Sequence, residues 1–131
     1  MAFEFTDPVT IGFLRASTDL RTKQFYVVKL DEGTDGWLLA AAGNHHGVGI
    51  LQNAPNAGEA AEVRFAAGSK AVAGAAITKY APFTVNASGK IIPATDATHV
   101  LGIALEAAGA DGDIIAVWLR YAGEYEVLSP A

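Results

Sequence analysis

One strand–loop–strand unit occurs twice in this chain of 131 residues. The first copy runs from Gly49 to Phe65 and the second from Gly102 to Leu119. Each opens on a glycine, continues as a short apolar strand and enters a loop of small residues. Each loop holds a Gly-acid pair, Gly58-Glu59 or Gly112-Asp113, before a second strand begins. In that strand the apolar residues fall at the same spacing, Val63 and Phe65 in one copy, Val117 and Leu119 in the other. A glycine follows each copy, Gly68 and Gly123. Neither loop carries a set of polar residues suited to catalysis, so the repeated unit reads as scaffold.

The rest of the chain fits the same architecture. From Gln24 onward, short apolar runs alternate with Gly- and Asp-rich turns. The expected strands are 25–30, 37–41, 48–51, 61–65, 71–73, 83–85, 90–93, 100–105 and 114–121. Asp31–Gly36, Asn86–Gly89 and Ala110–Asp113 are the clearest turns. Alanine-rich stretches could suggest helix, but glycines at 58, 68, 74, 102, 109 and 112 interrupt them. The pattern predicts an all-β fold, a small β-barrel or pair of packed sheets. Residues 25–131 form that domain. Residues 1–24 read as an extended N-terminal arm, in which Phe3 and Phe5, then Val9, Ile11 and Phe13, alternate with other residues at period two. Such an arm either adds a strand to a partner's sheet edge or supplies the first strand of its own.

The last long run, from Ile114 to Tyr121, is apolar on both faces. Ile114, Ala116 and Trp118 line one, and Ile115, Val117, Leu119 and Tyr121 the other. A strand of this kind needs cover on both sides. The second cover is either a neighbouring subunit or the chain's own first 24 residues. Composition favours hidden surface: 51% of residues are hydrophobic and only 18% charged.

Charge excludes one class of partner. The net charge is −5. Residues 1–24 are neutral, with Glu4, Asp7 and Asp19 against Arg15, Arg21 and Lys23, so the remainder carries all of it. No clustered Lys and Arg are available to neutralise phosphates, which argues against nucleic acid. No cysteine is present, so disulfides and thiolate metal sites are absent. No apolar run approaches membrane-spanning length, and no secretory signal pattern opens the chain, so synthesis in the cytoplasm is expected.

Candidate chemical sites fall away one by one. His45 and His46 are adjacent and lack further ligands at metal-binding spacing. Asp31, Gly33, Asp35 and Gly36 have a passing likeness to a calcium loop. Gly33 and Ala42 stand where that loop needs oxygen ligands, so a hairpin turn is expected. Gly47 and Gly49 are not followed by the residues of a phosphate cradle. The serines lack an elbow motif or a neighbouring base. No catalytic residue, cofactor or metal is expected.

Across most of its length the chain resembles the capsid cement, or head decoration, proteins of tailed bacteriophages. The likeness runs through Ala16–Leu30, through Gly47–Pro55 with Gly58-Glu59, and through Ala73–Ile77. It continues in Gly89–Ala94 and ends in Gly102–Ala108. Each piece alone is a run of small and aliphatic residues; their order and spacing together carry the specificity. Tyr80-Ala81-Pro82 departs from the pattern, since a glycine-containing turn is expected there. The resemblance implies a small β-barrel or β-tulip-like domain, trimeric, on the exterior of an expanded virion capsid at three-fold and quasi-three-fold sites. There it would stabilise the shell against internal DNA pressure. The partners implied are the major capsid protein and two further copies of the chain, with no nucleic acid and no membrane. On this view Phe3, Phe5, Val9, Ile11 and Phe13 are the expected capsid contact. Ile115, Val117, Trp118, Leu119 and Tyr121 are expected at or near the subunit interface. A tail or baseplate component, or a host-surface binding module on a similar barrel, is the alternative that the same features allow.

Overall fold

A computed structural model describes residues 10–11, 14–42, 48–95, 99–119 and 126–127. Every regular element among them is a strand, as the turn-rich sequence predicts. Residues β1 (Thr10–Ile11), β2 (Val27–Asp31), β3 (Gly36–Leu39), β4 (Val48–Leu51) and β5 (Val63–Arg64) form one antiparallel sheet. A second sheet is built from β6 (Ala67–Val72), β7 (Pro82–Val85), β8 (Ile91–Pro93), β10 (Gly102–Ala104) and β11 (Ile114–Leu119). Between and after these, β9 (His99–Val100) and β12 (Glu126–Val127) pair with each other.

The duplication extends beyond the two copies visible in the sequence. The first sheet has the order β1-β5-β4-β2-β3 and the second β6-β11-β10-β7-β8. These are the same arrangement: the first strand of each half lies beside the last, and a central hairpin forms the other edge. Register agrees residue by residue. Val27, Ile50 and Arg64 stand in a row across the first sheet, and Pro82, Ile103 and Trp118 in the matching row of the second.

Each Gly-acid pair has the same structural task. Ala16 donates its N–H to the Glu59 carbonyl and accepts from Gly58; Ala73 does likewise with Asp113 and Gly112. The acid side chains then close their own loops. Glu59 accepts from the Asn56 N–H, and Asp113 from those of Gly109 and Ala110. Gly58 and Gly112 both sit at positive φ, 84° and 97°, where a Cβ is disfavoured.

The cores match as well. The smaller cluster holds Ala16, Leu20, Val28, Trp37, Leu51, Ala61 and Val63. At the corresponding positions stand Ala73, Ile77, Phe83, Ile91, Ala104, Ile115 and Val117, all members of the larger cluster. The larger one also takes in Val27, Ala40, Val48 and Ile50, from the opposite face of the first sheet. One face of the first sheet therefore wraps its own core, and the other is buried against the second half.

Of the two all-β arrangements that the sequence allows, the chain adopts the pair of sheets, a small barrel-like domain that is not one closed barrel. Each repeat completes its own sheet, and only a few bonds cross between them. Val72 donates its N–H to the Phe25 carbonyl, Val27 to that of Gly89, and Arg64 Nη1 to that of Gly68. The stretch read as an arm is part of this architecture where it is described. Ala16 and Leu20 are buried, Leu14 packs against the smaller core, and β1 pairs with β5.

Two turns show how one backbone shape is met by different residues. Asp35 at φ 56° and Gly89 at φ 79° occupy matching hairpin positions. A Cβ on Gly89 would stand 2.6 Å from Leu39 Cδ1 and 3.2 Å from the Val27 carbonyl oxygen. Gly89→Ala is therefore expected to cost about 1–3 kcal/mol in denaturant unfolding, from backbone strain plus overpacking. Asp35→Gly should change stability by less than about 0.5 kcal/mol, because relief of strain offsets added chain entropy.

Candidate interaction surfaces

Hydrogen bonds move Asp19, Asp31 and Lys90 away from neutral pH. Asp19, paired with the Arg21 guanidinium at 2.8 Å, is lowered to about 2 chiefly by that hydrogen bond. The Thr34 hydroxyl and the Gly33 N–H hold Asp31 below its usual range. Lys90 is raised by its 2.8 Å bond to Asp111. Each shift moves the group further from neutrality, whereas a general acid or base needs the reverse. These pairs fasten turns. Asp31 holds the β2–β3 hairpin, and Lys90 ties the β7–β8 turn to the β10–β11 loop. Among the described residues no group of three or more His, Cys, Asp and Glu is placed to hold a metal. His45 and His46 lie outside the described residues.

The surface is more informative. Ile115, Val117 and Leu119 point inward and are buried in the chain's own core. The opposite face of β11 is open: Ile114 is 55% and Trp118 58% exposed. Trp118 faces Ile103 across the β10–β11 ladder, and Ile103 faces Pro82 across the next. Tyr80, just before β7, is 62% exposed with the Lys79 ammonium 5.0 Å from its ring centre. The outer face of the second sheet is thus an apolar strip running from Tyr80 and Pro82 to Trp118. Single exposed apolar residues need no explanation, but a contiguous row does.

Tyr80 also answers the departure noted at this turn. It adopts φ 67°, and its N–H donates to the Ala104 carbonyl. Phe25, the matching aromatic in the first half, adopts φ 69° and donates to Leu51. A left-handed residue is required at both places, and an aromatic fills each one.

A second feature lies at the rim of the first half. Leu14, Leu30, Asp31, Glu32 and Asp35 line a groove of about 340 Å³, between Leu14 and the β2–β3 turn. Leu30 is 44% exposed there. Of the arm residues expected at the capsid, Ile11 lies in β1 opposite Val63. Phe3, Phe5, Val9 and Phe13 lie outside the described residues, as does Tyr121. Sequence reasoning singled out Trp118 but missed Tyr80, Pro82, Ile103 and the Leu30 groove. Only strand register joins those residues into surfaces.

Comparison with known proteins agrees with this architecture. No curated protein matches the chain. Among solved structures, it is similar to the N base of the head fibre protein gp8.5 of bacteriophage phi29, with a TM-score of 0.67 and 21% identity. That match covers 86% of this chain and 95% of the other. At that identity the likeness establishes a shared fold. A family model for phage cement proteins matches residues 8–119, which include both repeats and both surfaces. The chain belongs to the phage cement protein family, whose members are capsid-associated structural proteins of the virion.

Proposed function

We propose that this protein binds the outer surface of the expanded capsid as a trimer, at three-fold and quasi-three-fold sites, and stabilises the shell against the pressure of packaged DNA. The family match over residues 8–119 carries this reading. The likeness to a head fibre base is compatible with attachment at the head. Trp118 and its row of outward neighbours supply apolar surface for contact between copies, and the arm residues Phe3, Phe5, Val9, Ile11 and Phe13 supply the contact with the major capsid protein.

The mechanism is mechanical. Internal pressure separates capsid subunits at their junctions. A trimer that grips several subunits has to release all its contacts before they part. Linking individually weak contacts through one rigid body raises avidity by roughly 10²–10⁴-fold. No chemistry is required of any residue.

Removal of residues 1–9 spares β1 and every described residue of the two cores. The shortened protein is expected to keep its fold and self-association while its binding to expanded shells falls at least ~100-fold, as read by co-sedimentation. If it saturates the shells as the full chain does, the arm is not the capsid contact.

A further inference from the structure

The internal duplication is incomplete in one respect. In the first sheet, the outward row Val27–Ile50–Arg64 is covered by the second half. The covering parts are β6, whose Val72 N–H bonds to Phe25 and whose Gly68 carbonyl accepts from Arg64, and the β7–β8 turn, whose Gly89 carbonyl accepts from Val27. Among the described residues no matching element lies over the row Pro82–Ile103–Trp118: Pro82 and Ile103 are half-buried, Trp118 is 58% exposed, and Tyr80, which matches Phe25, is 62% exposed. The described parts of the first half that match the covering elements are β1, Leu14, Arg15 and the β2–β3 turn. Leu14 and that turn, with Leu30 and Asp35, line the open groove. One molecule thus has an exposed apolar face at one end and, at the other, a rim built like the elements that cover the matching face of the first sheet.

We infer that the rim of one copy docks on the outer face of the second sheet of another copy, repeating between molecules the contact that joins the two halves within one. This rests on the self-association in the reading above and specifies its geometry. The partner is a second copy because the contact already exists in the chain in covalently linked form. Charge agrees: Asp31, Glu32 and Asp35 edge the rim, while Lys79 stands over Tyr80 on the face. The contact joins two different surfaces. It therefore propagates head to tail, and it closes into a ring when the rotation between copies permits.

Mixing two variants tests this. Trp118→Glu spoils the face and leaves the rim; Leu30→Glu spoils the rim and leaves the face. Both side chains are exposed, so the fold should survive, which far-UV circular dichroism and the thermal midpoint check. Tyr80→Ser provides a milder variant of the face. Light scattering after size exclusion should give a discrete oligomer for the unaltered protein and a monomer for each variant, with dissociation constants raised on the order of 30-fold or more. An equimolar mixture of the two Glu variants should form a one-to-one dimer through the single intact rim–face pair. If either variant keeps the parent mass, or the mixture stays monomeric, the docking is overturned while self-association stands. If the unaltered protein is itself a monomer at every concentration, the docking and the self-association reading both fall.

Discussion

Alanine at position 102 is expected to destabilise the protein strongly through its second sheet. Gly102 opens the second copy of the repeat, and its backbone lies directly against β11. A Cβ there would fall inside contact distance of the Trp118 carbonyl oxygen and 3.0 Å from two atoms of the Phe83 ring. The obstructing oxygen belongs to a ladder that cannot retreat without breaking its bonds, and the ring is fully buried. Overpacking of this kind costs about 3 kcal/mol or more, a large part of the roughly 5–15 kcal/mol that holds a domain together. A fall in melting temperature of roughly 10 °C or more should follow. Gly68→Ala is the control. It lies in β6, on the far side of β11, where the nearest atom to an added Cβ is the Val117 carbonyl oxygen at 3.9 Å. It should melt within a few degrees of the parent, on the order of 1 kcal/mol or less. Equal effects from the two substitutions would show that the close approach at Gly102 is not real.

Phe83→Ala should be nearly as damaging. Phe83 is fully buried at the centre of the larger core, and truncation of a buried phenylalanine costs about 3–5 kcal/mol. The duplication adds a sharper expectation. The first half fills its core with Val28, Trp37 and Leu51, where the second uses Phe83, Ile91 and Ala104. Volume has been redistributed among matching positions while the backbone stayed the same. Phe83→Val with Ala104→Leu moves the second core towards the first. The pair should therefore destabilise by less than the sum of the single changes, with a coupling of about 0.5–3 kcal/mol. Strict additivity in urea unfolding would mean that the two cores are not equivalent.

Much of the fold could be read from the chain because glycines mark its turns and Gly-acid pairs mark its loops. The strands at 48–51, 83–85 and 114–119 lie where alternation and apolar runs place them. The full extent of the duplication could not be read. Leu14–Leu20 and Ala71–Ile77 do the same work through backbone hydrogen bonds, which place little demand on side-chain type beyond small or apolar. Strand β6 was expected only at 71–73, since Gly68, Ser69 and Lys70 carry no strand signature. Ser69 is held instead by the Gln52 amide from the first half. The two-faced character of β11 was visible, but not which face stays open. That depends on Pro82 and Ile103, brought beside Trp118 only by register.

The proposed cement role requires many copies on each capsid. Its most direct test is the number of copies bound per expanded shell, measured relative to the major capsid protein by quantitative mass spectrometry of purified decorated particles. Saturation is expected at a count approaching that of the major capsid protein. Saturation at a handful of copies per particle would contradict it and assign the chain to the tail or a single vertex.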